Sequence, residues 1–194
     1  MTTEAAGNTA AATLPNTSAF ERFAGGCAIL AGASGFSYAV SFVILQNTLL
    51  SGLFLMLGGL LGTAVLAAVY ERLKETDASF ALLALVFGVA GAFGAAAHGG
   101  YDLANAVNPP VSIPDLPNPV DPRGLLTFGA SIALFLVGWL IVRGGRFPKG
   151  LGYLAFLSAI LVPALLNGFL VNPVLYTWLG VSFFRKPGGK GVST

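Results

Sequence analysis

The side chains best suited to chemistry follow one another in one short stretch of the chain. His98, the only histidine, is followed by Tyr101, Asp102 and Asn105. These positions stand at i, i+3, i+4 and i+7, so a helix that continues through them places all four on one face. A carboxylate one turn from an imidazole can hydrogen-bond to it, which orients the ring and raises its basicity. The pattern therefore predicts a polar site in which His98 and Asp102 are paired.

Three further side chains are candidates for the same site. Asp121 and Arg123 follow a Pro-rich segment, where the chain begins its next apolar stretch. Tyr38 belongs to a polar stripe with Ser34 and Ser41 at helical spacing. Such a stripe is also typical of hydrogen bonds between membrane helices. We expect a shallow ligand-binding pocket formed by His98, Tyr101, Asp102, Asn105, Asp121, Arg123 and Tyr38.

Other kinds of site find no support in the sequence. One histidine and one cysteine (Cys27) fall short of a usual zinc set, and a single cysteine forms no intrachain disulfide. The chain has no G-x-S-x-G nucleophile motif, no phosphate-binding loop and no dinucleotide fingerprint. We therefore predict no catalytic residues, no metal and no cofactor.

Composition defines the class of protein. The chain is 55% hydrophobic and only 9% charged, against about 25% charged residues in soluble domains. Four stretches contain no Asp, Glu, Lys or Arg, and each exceeds the roughly 18 residues that indicate a membrane-spanning helix. They are 23–70, 78–101, 124–142 and 150–184. The net charge of +2 and the absence of a basic patch exclude a nucleic-acid partner, which leaves the lipid bilayer as the expected environment.

These stretches predict an all-α, polytopic transmembrane helical bundle with six helices. We place the helices at 20–45, 49–70, 78–106, 123–142, 150–166 and 169–184, within a transmembrane domain of residues 20–185. Residues 1–19 and 186–194 are predicted to be tails. The prolines of 107–122 exclude a helix and predict a stiff outer loop. The segment from Glu71 to Glu75 is expected to be a charged helix end in water.

The stretch 150–184 allows two interpretations. It forms either two short helices with a turn near Asn167-Gly168, or one long helix broken at Pro163 or Pro173, which would make five helices in all. Six helices with both termini in the cytoplasm place nine of the ten basic residues inside, and only Arg123 outside. Five helices place six inside and four outside. Because basic residues accumulate on the cytoplasmic side, the count favours six.

Three segments of the sequence also resemble segments of a known class of proteins. They are RFAGGCAILAG (22–32), HGGYDLANAVNPP (98–110) and LPNPVDPRGLLTFG (116–129). Together they resemble uncharacterised bacterial integral membrane proteins with a domain of unknown function. The resemblance implies a multi-pass protein of the bacterial inner membrane, and it implies no activity, cofactor or site residue.

Three functional interpretations follow from the residues. The first is a non-enzymatic membrane protein whose ordered Pro-rich outer loop contacts a partner protein or a second copy. The second is binding or transport of a small molecule or ion through an outward-facing polar pocket around His98 and Asp102. The third is a membrane enzyme with His98 as a base, and no catalytic motif favours it. The ligand itself is not identified by the sequence.

Overall fold

Six helices make up the computed structural model, which describes residues 18–108, 122–161 and 167–185, apart from the side chains of 122–127 and 167–168. This confirms the predicted all-helical fold with six helices for the described residues. Residues 1–17 of the predicted N-terminal tail, the C-terminal tail, Asp121 and nearly all of the predicted loop 107–122 lie outside them. The helices are α1 (Ala19–Ala39, continued by a π-helical turn, Val40–Ile44), α2 (Thr48–Leu73), α3 (Ala78–Val107), α4 (Pro122–Gly144), α5 (Lys149–Leu161) and α6 (Asn172–Phe184, preceded by a π-helical turn, Asn167–Val171).

The first three helices begin at side chains that satisfy their free backbone N–H groups. Ser18 and Glu21 form a capping box at α1, in which the Glu21 N–H donates to Ser18 Oγ at 3.0 Å and the Ser18 N–H donates to Glu21 Oε2 at 3.2 Å. Asn47 caps α2 and Asp77 caps α3 in the same way, each accepting from the N–H three residues on. Local sequence therefore sets where these helices start.

The helices form a closed ring. Each packs against its neighbours in the chain, and α6 packs against α1. Glycines allow the close approach. At the α1–α6 contact, a Cβ placed on Gly25 or on Gly180 would lie 3.1 or 2.8 Å from the other's carbonyl oxygen. Gly138 of α4 and Gly152 of α5 oppose each other in the same manner, at 2.8 Å each way. Small residues at such contacts are typical of helices packed inside membranes.

The stretch 150–184 contains two antiparallel helices. The start of α5 lies beside the second half of α6, because a Cβ on Gly150 would come within 2.8 Å of the Trp178 ring. Near the other end, Ser158 Oγ donates to Asn172 Oδ1 at 2.7 Å. The chain therefore reverses direction between Ser158 and Asn172, as the two-helix interpretation predicts and a single broken helix does not.

Length and surface chemistry mark the protein as a membrane protein. Three helical segments are long and apolar enough to cross a bilayer: Ala19–Ile44, Thr48–Leu73 and Ala78–Val107. Three shorter apolar helices complete the ring. Large apolar side chains face outward from it, among them Phe23, Val86 and Ile160, which are 62%, 58% and 72% exposed. An apolar surface of this extent is a liability in water but is suited to lipid.

Packing is dense only in one half of the ring. We call the end that carries Glu21, Arg72 and Arg146 the charged end. Buried side chains from all six helices fill the half next to it, including Val69, Leu140 and Phe183. In the other half the side chains that face the centre are mostly glycine and alanine. The two halves therefore differ in how completely the helices fill the space between them.

Arg72 corrects the prediction that residues 71–75 form a helix end in water. Its side chain is only 6% exposed, and its Nε lies 2.6 Å from Glu21 Oε1. Its Nη1 donates to the Ser182 carbonyl at 2.9 Å, and its guanidinium carbon lies 4.8 and 5.2 Å from the ring centroids of Phe183 and Phe147. The prediction was wrong for Arg72 because sequence spacing did not show that the last turn of α6 lies beside it.

Other charges at this end remain on the surface. Lys74 Nζ lies 2.5 Å from Glu71 Oε2, with both side chains well exposed. This hydrogen bond to Glu71 raises the pKa of the Lys74 ammonium above its ordinary value. Arg146 pairs with Glu75 across the two loops at this end. Pairs of this exposed kind contribute little to stability.

Candidate functional site: an internal cavity

A cavity of about 460 Å³ occupies the half of the ring away from the charged end. Helices α1, α2, α3, α4 and α6 contribute to its wall, together with the π-helical turn that ends α1. Volumes of this size are typical of sites for small molecules. The small residues of the wall are Ala31, Gly35, Ala39, Gly58, Gly59, Gly62, Gly88, Gly91, Ala92, Ala95, Ala130 and Ala133.

The cavity exists because the same small residues that bring the helices together also leave the centre empty. Gly59 contacts α3 so closely that a Cβ on it would lie 2.5 Å from the Ala92 carbonyl oxygen. By contrast, a Cβ on Gly35 would meet no atom within 4 Å, and one on Gly62 would meet its nearest neighbour at 3.7 Å. Some glycines of the wall, such as Gly59, thus allow two helices to pack closely, while others, such as Gly35, face the cavity.

Three polar side chains face the cavity: Tyr38, Asn172 and Tyr176. The Tyr38 ring stacks on Phe42, with centroids 5.7 Å apart. Asn172 accepts from Ser158 through Oδ1, which leaves its amide N–H₂ group for other contacts. The Tyr176 hydroxyl lies next to Gly62, 3.7 Å from the position of a Cβ there. None of the described residues that line the wall is an Asp, Glu, Lys, Arg or His, so this lining is mainly apolar and uncharged.

Both π-helical turns lie beside this cavity. Val40–Ile44 provides Phe42 and Val43 to the wall, and Asn167–Val171 leads directly into Asn172. The second turn contacts α1, where the rings of Phe36 and Phe169 pack edge to face with centroids 6.4 Å apart. Single π-helical turns are frequent at functional sites, because they redirect side chains within a helix.

The predicted pair is present next to the cavity. His98 Nε2 and Asp102 Oδ2 lie 3.5 Å apart, with side chains 30% and 13% exposed. Helix α3 continues through Gly99-Gly100 to Val107, so the glycine pair does not end it. Tyr38 lies within electrostatic range of the Asp102 carboxylate, and both Tyr101 and Asn105 take part in interactions of their own.

Among the predicted site residues whose side chains the structure describes, one lines the cavity itself. That residue is Tyr38, whereas His98, Tyr101, Asp102 and Asn105 lie outside its wall. Asp121 falls outside the described residues, and Arg123 falls in the first turn of α4 with its side chain outside them. The cavity thus differs from the shallow polar pocket expected around His98 and Asp102, since it is deeper in the ring and mostly apolar.

Sequence reasoning missed Asn172 and Tyr176. Both lie in an uncharged stretch of 35 residues, and they are separated by four positions, which places them on one helical face. The same spacing drew attention to Ser34 and Tyr38. The signal that could have identified them is a pair of polar residues at helical spacing within an apolar helix. That both side chains face the cavity depends on the packing of α6 against α1, which the sequence does not show.

The cavity can bind a molecule through apolar contacts and hydrogen bonds. Among the residues that the structure describes, no three His, Cys, Asp or Glu side chains converge on one point. Cys27, although buried, belongs to the packed half near the charged end. The polar groups that reach the cavity are hydroxyls and an amide, which bind and orient a molecule.

Comparison with known proteins identifies a relative. No family model matches the chain, and no solved structure does. A protein of Archaeoglobus fulgidus, described only as an uncharacterised protein, is 32% identical over 155 residues, which cover 75% of this chain and 86% of that protein. Because the relative is archaeal, a restriction to bacteria, as the resemblance implied, is not supported. The chain belongs to the same family as this archaeal protein.

Proposed function

We propose that the protein is a multi-pass protein of the cell membrane that binds a small apolar molecule inside its helical ring. The observation that carries this proposal is the cavity of about 460 Å³, to which five of the six helices contribute and which is lined mainly by apolar and small residues. The helices make fewer packing contacts with one another across a space of this size than in the other half of the ring. A ligand that fills it regains them.

Six membrane crossings are proposed, with both termini in the cytoplasm. The closed ring supports this, because α4 packs against α3 and α6 packs against α1, two of the helices that are long enough to cross, and α5 lies between α4 and α6. Helices α5 and α6 have 13 residues each, about 20 Å at the usual helical rise. A bilayer accommodates short helices by local thinning. The charged end then faces the cytoplasm, and the cavity lies in the outer half.

Cysteine labelling tests this orientation. In a Cys27→Ser background, we expect Ser112→Cys to react with a membrane-impermeant maleimide in intact cells, since the segment 107–122 is proposed to be external. Lys74→Cys, at the exposed charged end, is expected to react only after permeabilisation. The reverse pattern, or reaction at both positions in intact cells, would contradict the proposed orientation.

A cavity-filling substitution tests ligand binding. Benzophenone is a suitable probe, because it is apolar, neutral and crosslinks to nearby C–H bonds on irradiation. In lipid nanodiscs, we expect photolabelling of the wild-type protein on peptides that line the cavity. Gly35→Leu places a side chain into the open space and is expected to lower this labelling at least fivefold, as measured by mass spectrometry of the adducts.

Gly26→Leu is the matched control. Gly26 lies on the same helix, a Cβ there also meets no atom within 4 Å, and the residue is not part of the cavity wall. Its substitution is expected to leave labelling unchanged. Equal labelling of the Gly35→Leu and Gly26→Leu variants would refute ligand binding in the cavity, provided that both variants elute as folded protein.

A further inference from the structure

The polar groups of the cavity narrow the class of molecule that it binds. We infer that the ligand is a neutral, mainly apolar molecule that carries a hydrogen-bond acceptor oxygen, such as a carbonyl or ether. This inference rests on the proposed function and adds the chemistry of the ligand. It is carried by three hydrogen-bond donors that face one apolar space.

The donors have no partner among the described residues. The hydroxyls of Tyr38 and Tyr176 make no hydrogen bond to any side chain or backbone group that the structure describes. The Asn172 amide uses its oxygen with Ser158, and its N–H₂ group likewise finds no acceptor in that part of the chain. The three side chains are half-buried and face a mainly apolar space, where an acceptor that pairs with them would be favourable.

The donors also determine which kind of polar group is missing. An asparagine N–H₂ group only donates, and a tyrosine hydroxyl donates readily. What the cavity lacks is therefore an acceptor. Asn172 and Tyr176 lie one turn apart on α6, and Tyr38 approaches from α1. An oxygen between the two helices can accept from α6 on one side, while the apolar body of the molecule lies against the small residues of α2, α3 and α4.

The lack of charged side chains among the described residues of the wall excludes ionised ligands. A carboxylate or ammonium in the cavity would have no counter-ion in the wall, because none of the described residues that line it is an Asp, Glu, Lys, Arg or His. Burying an unpaired charge costs far more than an apolar cavity returns. A neutral molecule with an acceptor oxygen satisfies the donors without this cost.

A pair of probes tests the inference. Diphenylmethane has the shape of benzophenone but no oxygen, so the two differ by one acceptor. Using labelled benzophenone in the photolabelling assay, we expect unlabelled benzophenone to compete about fivefold more effectively than diphenylmethane, the effect of roughly one hydrogen bond. Tyr176→Phe or Tyr38→Phe is expected to abolish this difference by weakening benzophenone alone, since the ring and its packing are retained.

Tyr153→Phe is the control, because Tyr153 on α5 is 60% exposed on the outside of the ring. It is expected to keep the fivefold difference. Equal competition by the two probes in the wild-type protein, or an unchanged difference in both Tyr38→Phe and Tyr176→Phe, would overturn the acceptor inference while leaving apolar binding in place. Labelling that Gly35→Leu does not reduce would instead refute the proposed function itself.

Discussion

Replacement of Arg72 by Met is expected to destabilise the folded protein by about 3–5 kcal/mol, the cost of breaking a buried ion pair from one side. The Glu21 carboxylate, with a side chain only 15% exposed, would lose its partner at 2.6 Å. The Ser182 and Phe183 carbonyls at the end of α6 would lose the donor that caps them. Two aromatic rings would lose the cation between them.

The loss of stability is measured by unfolding the protein in mixed micelles of dodecyl maltoside and sodium dodecyl sulfate. Circular dichroism follows the helical content during the titration. Lys74→Met is the matched control, because it removes a cation two residues away whose side chain is 40% exposed. It is expected to change stability very little. A loss no greater in Arg72→Met than in Lys74→Met would show that Arg72 does not hold α1, α2 and α6 together.

The double variant Glu21→Gln/Arg72→Met separates two causes of the loss. If an unpaired carboxylate causes most of it, neutralising Glu21 should restore part of the stability. Arg72→Lys tests geometry, since an ammonium retains the charge but does not reach the carboxylate and the α6 carbonyls at once. It is expected to fall between the wild-type protein and Arg72→Met.

Gly99→Ala and Gly100→Ala are expected to change stability in opposite directions, although the two residues are neighbours on α3. A Cβ on Gly99 would lie 2.5 Å from both the Gly52 carbonyl oxygen and the Met56 nitrogen of α2. Backbone atoms cannot rotate away, so the helices must separate, and overpacking of this kind costs about 1–3 kcal/mol. A Cβ on Gly100 meets its nearest atom, Met56 Sδ, at 3.9 Å.

Alanine at position 100 is therefore in ordinary contact, and the better helix propensity of alanine is expected to stabilise the protein by up to about 1 kcal/mol. The same micelle titration measures both variants. Because they differ by one position, general effects of the substitution on detergent binding or on α3 cancel. Equal stability of the two variants, or a loss confined to Gly100→Ala, would contradict the close α2–α3 contact at Gly99.

The helices themselves were largely predictable. Long stretches without charge must satisfy every backbone group internally when they enter lipid, so their length alone predicts helices. Capping residues such as Asn47 and Asp77 mark where two of them begin, because a side-chain oxygen there binds a free N–H group. The division of 150–184 into two helices was also predicted from charge, since six crossings place nine of the ten basic residues on one side and five crossings place only six there.

The site was predictable only in part. The His98–Asp102 pair lies within one helix, so spacing alone predicted its geometry. The cavity depends on which faces of five helices meet, and Tyr176 and Tyr38 come from helices far apart in the chain. Two glycines show why the sequence was not sufficient. Gly35 and Gly99 look alike in the sequence, yet Gly35 faces open space and Gly99 contacts the backbone of α2.

What the sequence by itself determined is local: an apolar, all-helical membrane protein, the starts of its first three helices, and the pairing of residues one helical turn apart. These properties depend on the spacing of charges and of polar residues along one chain. The tertiary structure alone decided that the ring closes, that Arg72 is buried under the end of α6, and that one half is filled while the other is hollow. The physical reason is that burial and empty volume are properties of contacts between helices, which residues distant in sequence create together.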